Sequence, residues 1–254
     1  MGHDTQGRRE SFDPRLLQHR EVWRQKASLR LIYADYYRRL LAACPRGPLL
    51  DVGGGSGHVK EFVPRSVSVD ILPFPGLDAV CDAHRLPFAS AHFAGVIMLD
   101  VLHHLGRPLE FLSEAARVLR PGGILAMIEP GMSPMAYPFY RRLHQEPADL
   151  GADPFATDSV ARARDPFDSN QAIPTLLFGR ADNIRELARR VPQLKLRSVD
   201  WLSLFAYPLS GGFQRWCLVP PRLVPRLIGW EDRMPRSLRA LCGFRLMIVL
   251  ERGP

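Results

Sequence analysis

The chain has 254 residues, 46% of them hydrophobic and 24% charged, with a net charge of +8. That balance excludes a disordered or fibrous chain, and no apolar run reaches the roughly 18 residues needed to cross a bilayer. The charge is uneven: residues 1–50 hold 10 basic and 5 acidic side chains, residues 51–130 hold 6 and 9, and residues 131–254 hold 18 and 12.

The opening MGHDTQGRRESFD is polar and lacks the apolar stretch of a signal peptide, and Gln6 breaks the myristoylation pattern. A cytoplasmic location is the expectation. Residues 14–44 carry apolar and aromatic positions at helical spacing, among them Leu16, Trp23, Ile32, Tyr33, Tyr36, Tyr37 and Leu40. One amphipathic helix, or two in tandem, is predicted, stopped by Pro45-Arg46-Gly47-Pro48.

Residues 49–130 alternate strand and helix. Short apolar runs at Leu49–Val52, Val67–Val69, Ala79–Cys81, Val96–Leu99 and Ile124–Ile128 predict five strands, with a helix over Pro108–Leu119. Buried strands alternating with helices predict an α/β fold around a parallel sheet covered on both faces. Asp70, Asp82 and Asp100 directly follow three of these strands, and ligands bind such sheets beyond the carboxyl ends. Further on, Ala181–Arg190 reads as a helix, and 194–205 and 244–251 as closing strands. Ser210–Cys242 interleaves apolar residues with arginine and proline. It reads as a packed helical insertion, with a substrate lid or a peripheral membrane contact as alternatives. Cys44, Cys81, Cys217 and Cys242 lack the short spacing of a zinc or redox pair, so buried free thiols and no metal are expected.

The chemistry concentrates at Asp51-Val52-Gly53-Gly54-Gly55-Ser56-Gly57, which follows a strand and is expected to open a helix. Glycines let a ligand approach the backbone, and a helix N-terminus presents free N–H groups. A dinucleotide fingerprint G-x-G-x-x-G would need glycine or alanine at position 58, which is His58. Asp70 suits a ribose diol. Asp82-Ala83 can accept from an adenine amino group and donate a backbone N–H to the ring; an aspartate capping the next turn is the alternative.

LLDVGGGSG (49–57), SVDI (68–71), CDAHRLPFASAHFAGVIMLDVLHHL (81–105) and EAARVLRPGGILAMIEP (114–130) together resemble class I methyltransferases, in the branch of ubiquinone/menaquinone C-methyltransferases. The resemblance covers most of residues 49–130. It implies a Rossmann-like, seven-stranded, mostly parallel sheet with helices on both faces, and S-adenosyl-L-methionine as cofactor. It also implies roles. Gly53, Gly55 and Gly57 form the cofactor loop, with the first two facing the methionine portion. Asp51 braces the loop and the amino group. Asp70 binds the ribose hydroxyls and Ile71 packs on the adenine. Asp82 and Ala83 recognise its edge, and the Leu99 carbonyl faces the ammonium. Phe93-Ala94 departs from the family's usual Phe-Asp, without bearing on cofactor binding.

Methyl transfer from a sulfonium needs positioning first, and a base only where the acceptor is not already nucleophilic. Candidate bases are His103 and His104, past the fourth strand, and His144 in FYRRLHQEP. Glu146, Asn170 and Gln171 are candidate acceptor contacts, and residues 131–193 and 206–243 a candidate acceptor-side cap within one domain. The expected acceptor is a small molecule or lipid-linked glycan methylated on oxygen or carbon. The arginine-rich flanks leave RNA methylation as an alternative, but no RNA-binding module is present and DNA is not expected. A non-catalytic cofactor-binding partner is the third reading.

Overall fold

A computed structural model describes residues 12–143, 146–156 and 165–254. Its centre is a seven-stranded sheet in the order β3-β2-β1-β4-β5-β7-β6, from β1 (Leu49–Val52), β2 (Val67–Asp70), β3 (Ala79–Val80), β4 (Phe93–Leu99), β5 (Leu119–Pro130), β6 (Leu194–Leu202) and β7 (Arg245–Arg252). The first five run parallel, and β7 pairs antiparallel with both β5 and β6. This is the expected α/β sheet. Strand β5 starts five residues earlier than the apolar run predicts, because Leu119 already pairs with Phe93 across the Pro121-Gly122-Gly123 turn.

Period-2 alternation divides the core between two faces. On one face Val96 and Met98 of β4, Leu125 and Met127 of β5, and Leu246, Ile248 and Leu250 of β7 pack together. Helix α3 (Pro108–Val118) covers them with Phe111, Leu112, Ala115 and Ala116. On the other face Ile97, Leu99, Ala126, Ile128 and Val249 meet Trp23, Tyr33, Tyr36 and Tyr37. Those aromatics belong to α1 (Pro14–Gln25) and α2 (Ala27–Ala43), which break apart at Lys26. Asp13 caps α1 by accepting from the Arg15 N–H at 2.8 Å.

Between α3 and the end of the chain the remaining elements sit around the sheet. These are α4 (Ala136–Leu143), α5 (Ile173–Phe178), α6 (Ala181–Arg190), α7 (Ala206–Ser210), α8 (Val224–Arg233) and α9 (Arg236–Cys242). The last two make Ser210–Cys242 a helical insertion that follows directly on α7, with Val224 fully buried against the α2 side of the sheet. No described helix is long and apolar enough to cross a membrane.

Two expectations fail. The glycine turn does not open an α-helix: a single 3-10 turn spans His58–Glu61 before Pro64 redirects the chain into β2. The face that such a helix would cover is filled by α1 and α2, whose aromatics pack on Val59, Phe62 and Val63. The cysteines are also not uniformly buried. Cys242 is, Cys44 and Cys81 are half-buried, and Cys217 is exposed on the insertion, where no core claims it.

Candidate active site

The carboxyl ends of β1, β2 and β4 open into a cavity of about 930 Å³, large enough for a drug-sized ligand and a second small molecule. The glycine turn forms its floor. Gly53 has φ +81°, and a Cβ there would stand 2.1 Å from Val101 Cγ2, so only glycine fits. The Gly53 and Gly54 N–H groups donate to the Val69 carbonyl at 2.8 and 3.0 Å, tying the turn to β2. Asp70 completes the tie, accepting from the Gly55 N–H at 2.8 Å and the Leu72 N–H at 2.9 Å. Each carboxylate oxygen keeps a second lone pair for a ligand hydroxyl.

Gly53, Gly55, Asp70, Ile71, Asp82, Ala83 and Leu99 all line this cavity. Ile71 is half-exposed there, an apolar surface with nothing of the protein covering it. Asp82 also caps the following turn, as its Oδ1 accepts from the His84 N–H at 2.9 Å and faces His84 Nδ1 at 2.5 Å. Two expected loop residues stand apart. Asp51 does not line the cavity; it lies behind the turn, 2% exposed, and accepts from Ser68 Oγ at 2.6 Å. Burial pushes its carboxyl up to about 7. Gly57 is also outside the wall: its φ of +72° turns the chain where a Cβ would meet the Pro75 carbonyl at 2.4 Å.

The opposite half of the cavity is made by side chains from distant segments. His103 is almost fully buried, with Nδ1 2.7 Å from Glu129 Oε2 and Nε2 3.4 Å from Glu146 Oε2. Glu129 is itself completely buried, and its Oε1 accepts from the N–H groups of Val101 and Leu102 at 2.9 and 2.8 Å. Burial alone would lower the His103 pKa, but the hydrogen bonds to Glu129 and Glu146 outweigh it and hold it up at about 9. His103 is thus held between two carboxylates, one on each ring nitrogen. His104 is the reverse: burial and the neighbouring His103 charge push it down to about 4. Its ring is neutral, and its buried Nδ1 has no hydrogen-bond partner.

Glu146 and Gln171 do meet here. Gln171 Nε2 and Ser169 Oγ both donate to Glu146 Oε2, the latter at 2.9 Å, and Gln171 Oε1 is buried without a partner. Asn170 does not join them. Its Oδ1 accepts from the N–H groups of Asp149 and Ala172 at 2.9 and 3.1 Å, so it shapes the loop and stays out of the cavity wall. His144 lies outside the described residues.

Sequence reasoning missed three contributions. Leu16, His19, Tyr33 and Tyr37 bring the N-terminal helices into the wall. Their signal was the aromatic density of α2, far above what a covering helix needs. Tyr207, Phe213 and Trp216 form another edge, on a segment held by Lys26. The Lys26 ammonium sits among the carbonyls of Ser210, Gly212, Gln214 and Trp216, 2.9, 2.7, 2.5 and 2.9 Å away, and shares its three N–H donors among them. Arg245 is the third, 3% exposed, paired with Asp100 and lying 4.0 Å over the Tyr207 ring. An arginine at the start of the apolar run RLMIVL was its signal.

Comparisons with known proteins agree with this geometry. Residues 50–127 match the family described as "Methyltransferase domain". The ubiquinone/menaquinone biosynthesis C-methyltransferase UbiE of Bordetella parapertussis is 32% identical over 124 residues, which is 41% of this chain and 48% of that protein. The chain thus spans about half the length of the curated relatives it matches. Among solved structures, a Haloferax volcanii methyltransferase in complex with the Trm112 methyltransferase activator superposes with a TM-score of 0.52 at 16% identity, covering 97% of each chain. Geranyl diphosphate C-methyltransferase from Streptomyces coelicolor A3(2), solved with Mg2+, geranyl diphosphate and S-adenosyl-L-homocysteine, gives 0.51 at 15%, covering 92% of this chain and 83% of its own. At that identity the likeness is one of fold. The family match runs from β1 into β5, and so contains the glycine turn and the strand ends that open into the cavity.

Proposed function

We propose that the chain transfers a methyl group from S-adenosylmethionine to an oxygen or carbon of a small-molecule acceptor, either free or as a lipid-linked glycan. One observation carries the reading: a single cavity joins the glycine turn and Asp70 to a second half where His104, Glu146, Gln171 and Arg245 converge among aromatic rings.

In this reading the cofactor's methionine portion lies along Gly53–Gly55, with its ammonium toward the Leu99 carbonyl. Its ribose hydroxyls take the remaining lone pairs of Asp70. Its adenine packs on Ile71 and meets Asp82 and Ala83 at its edge. The acceptor enters from residues 131–193 and 206–243, between the rings of Tyr140, Tyr207 and Phe244 that line the cavity. The acceptor atom forms its bond to the methyl carbon as the S–CH3 bond breaks, and the sulfonium becomes a neutral thioether. A hydroxyl acceptor gives its proton to the pocket's acceptors, the His104 Nδ1 lone pair or the Glu146 carboxylate. Glu129 and His103 act as positioning residues that hold Glu146. Trp216, half-exposed at the cavity beside Arg215, and Leu218, 71% exposed two residues on, suit an acceptor that keeps a lipid tail outside.

The test is formation of S-adenosylhomocysteine when the full chain meets labelled S-adenosylmethionine with pools of phenols, quinols and lipid-linked glycans. Turnover with at least one pool is expected, and Glu146→Gln should lower it 10-fold or more with cofactor affinity unchanged. Cofactor binding without turnover in any pool would favour a non-catalytic partner.

A further inference from the structure

We infer that His103, His104 and Glu146 form a site for a divalent first-row transition metal, placed in the acceptor half of the cavity to bind the acceptor's oxygen. The inference rests on the methyltransferase reading for its purpose, and on three geometric facts for the site itself.

The first is convergence. One ring nitrogen from each histidine and one carboxylate oxygen of Glu146 lie within 4.8 Å of one another, and all three residues line the cavity. Two histidines and a carboxylate are the donor set that imidazole-binding ions such as zinc and iron(II) take, with positions left open for a substrate.

The second is the spacing of His103 and Glu146. Their Nε2 and Oε2 atoms stand 3.4 Å apart. A charge-assisted hydrogen bond between such groups is about 2.7–2.9 Å. Two ligands each about 2.1 Å from one ion, at a tetrahedral angle, lie about 3.4 Å apart. The distance is long for a direct hydrogen bond and matches two ligands on one ion.

The third is the outer layer. A metal-binding histidine ordinarily donates its other nitrogen to a carboxylate or carbonyl, which fixes the ring. His103 does so at 2.7 Å to Glu129, and Glu129 is in turn held by two backbone N–H groups. His104 lies against the Asp168 backbone, while its Nδ1 is buried and unpartnered. A buried polar atom without a partner is costly, so an unmatched ring nitrogen within this cluster marks a ligand position. Gln171 Oε1, also buried and unpartnered, can accept from a water or hydroxyl on the ion.

The ion lies between His103 Nε2 and Glu146 Oε2. An acceptor hydroxyl at the open position becomes more acidic and is presented as an alkoxide or phenolate. With His104 and Glu146 occupied by the ion, the hydroxyl proton goes to solvent and not to these side chains, and the new O–CH3 bond forms as the S–CH3 bond breaks. The acceptor class is therefore one that can chelate, with vicinal or enolic oxygens.

The test uses cobalt(II) as a coloured stand-in, added to the purified full chain. One equivalent should bind and give visible ligand-field bands. His104→Ala and Glu146→Ala should each weaken binding at least 10-fold, while His19→Ala, another cavity histidine, should not. Catechol added to the loaded protein should shift the bands. S-adenosylhomocysteine binding, measured separately, reports both the integrity of each variant and the cofactor reading. No stoichiometric binding, or binding unchanged in both His104→Ala and Glu146→Ala, would overturn the site. Bands indifferent to catechol would overturn the acceptor assignment. Cobalt binding with the expected losses but no cofactor binding would sink the methyltransferase reading and leave the metal site standing.

Discussion

The two halves of the cavity are built by opposite means. The cofactor half comes from one contiguous stretch, residues 49–105, and presents mostly backbone: a glycine turn, strand ends and the carboxylates that follow them. The acceptor half is assembled from side chains at positions 16, 19, 33, 37, 103–104, 139–140, 146, 165–167, 171, 207–216 and 244–245. A site made of backbone geometry tolerates change everywhere except where a Cβ cannot fit. One made of convergent side chains can be retuned residue by residue, and the fold does not dictate what it binds.

The sharpest way to break the first half is Gly53→Val, which brings a side chain into Val101 at a positive φ. Loss of stability by about 2–4 kcal/mol and of measurable cofactor binding is expected in denaturant titration and calorimetry. Gly55→Ala keeps the positive φ, at +51°, but not the clash, because its Cβ would meet nothing closer than the Gly53 carbonyl at 3.9 Å, so a smaller loss is expected. The second half is tested by Lys26→Met, which leaves the four carbonyls of 210–216 without their shared cation. A loss of about 2–3 kcal/mol and a raised acceptor KM, with cofactor affinity kept, are expected. Equal losses for cofactor and acceptor would erase the distinction between halves.

The smallest effect comes from His58, stacked on Trp23 with ring centroids 4.2 Å apart at the seam between the helices and the turn. Burial pushes its pKa from 6.5 down to about 3. The unfolded chain binds a proton below pH 6.5 that the folded chain refuses, so this contribution is intact above pH 6.5 and lost as pH falls toward 3. His58→Phe should remove about 1.4 kcal/mol of the destabilisation at pH 5.5, read as the pH dependence of the denaturation midpoint.

The same contrast explains what the sequence made legible. Apolar runs ending in Gly53, Asp70 and Asp100 announced the strands, because buried parallel strands leave little choice of side chain. Val96 and Met98 against Ile97 and Leu99 show the alternation that divides the core. The missing helix after the turn was not legible, since it depends on Trp23 and Tyr37 claiming that face from outside the segment. Asn170 and Gln171 are adjacent and chemically alike, yet one shapes the loop and the other meets Glu146. Nothing in their order distinguishes them. Arg245 and Lys26 were hidden for the same reason, their partners lying 145 and 184 or more residues away.

In the proposed reading Asp70 and the glycine turn hold S-adenosylmethionine. Calorimetric titration of the full chain with S-adenosylhomocysteine tests it most directly. One site is expected, with Asp70→Ala weakening it about 10- to 100-fold, the value of one or two hydrogen bonds to a charged group. Binding to Asp70→Ala as tight as to the unaltered chain would contradict the claim.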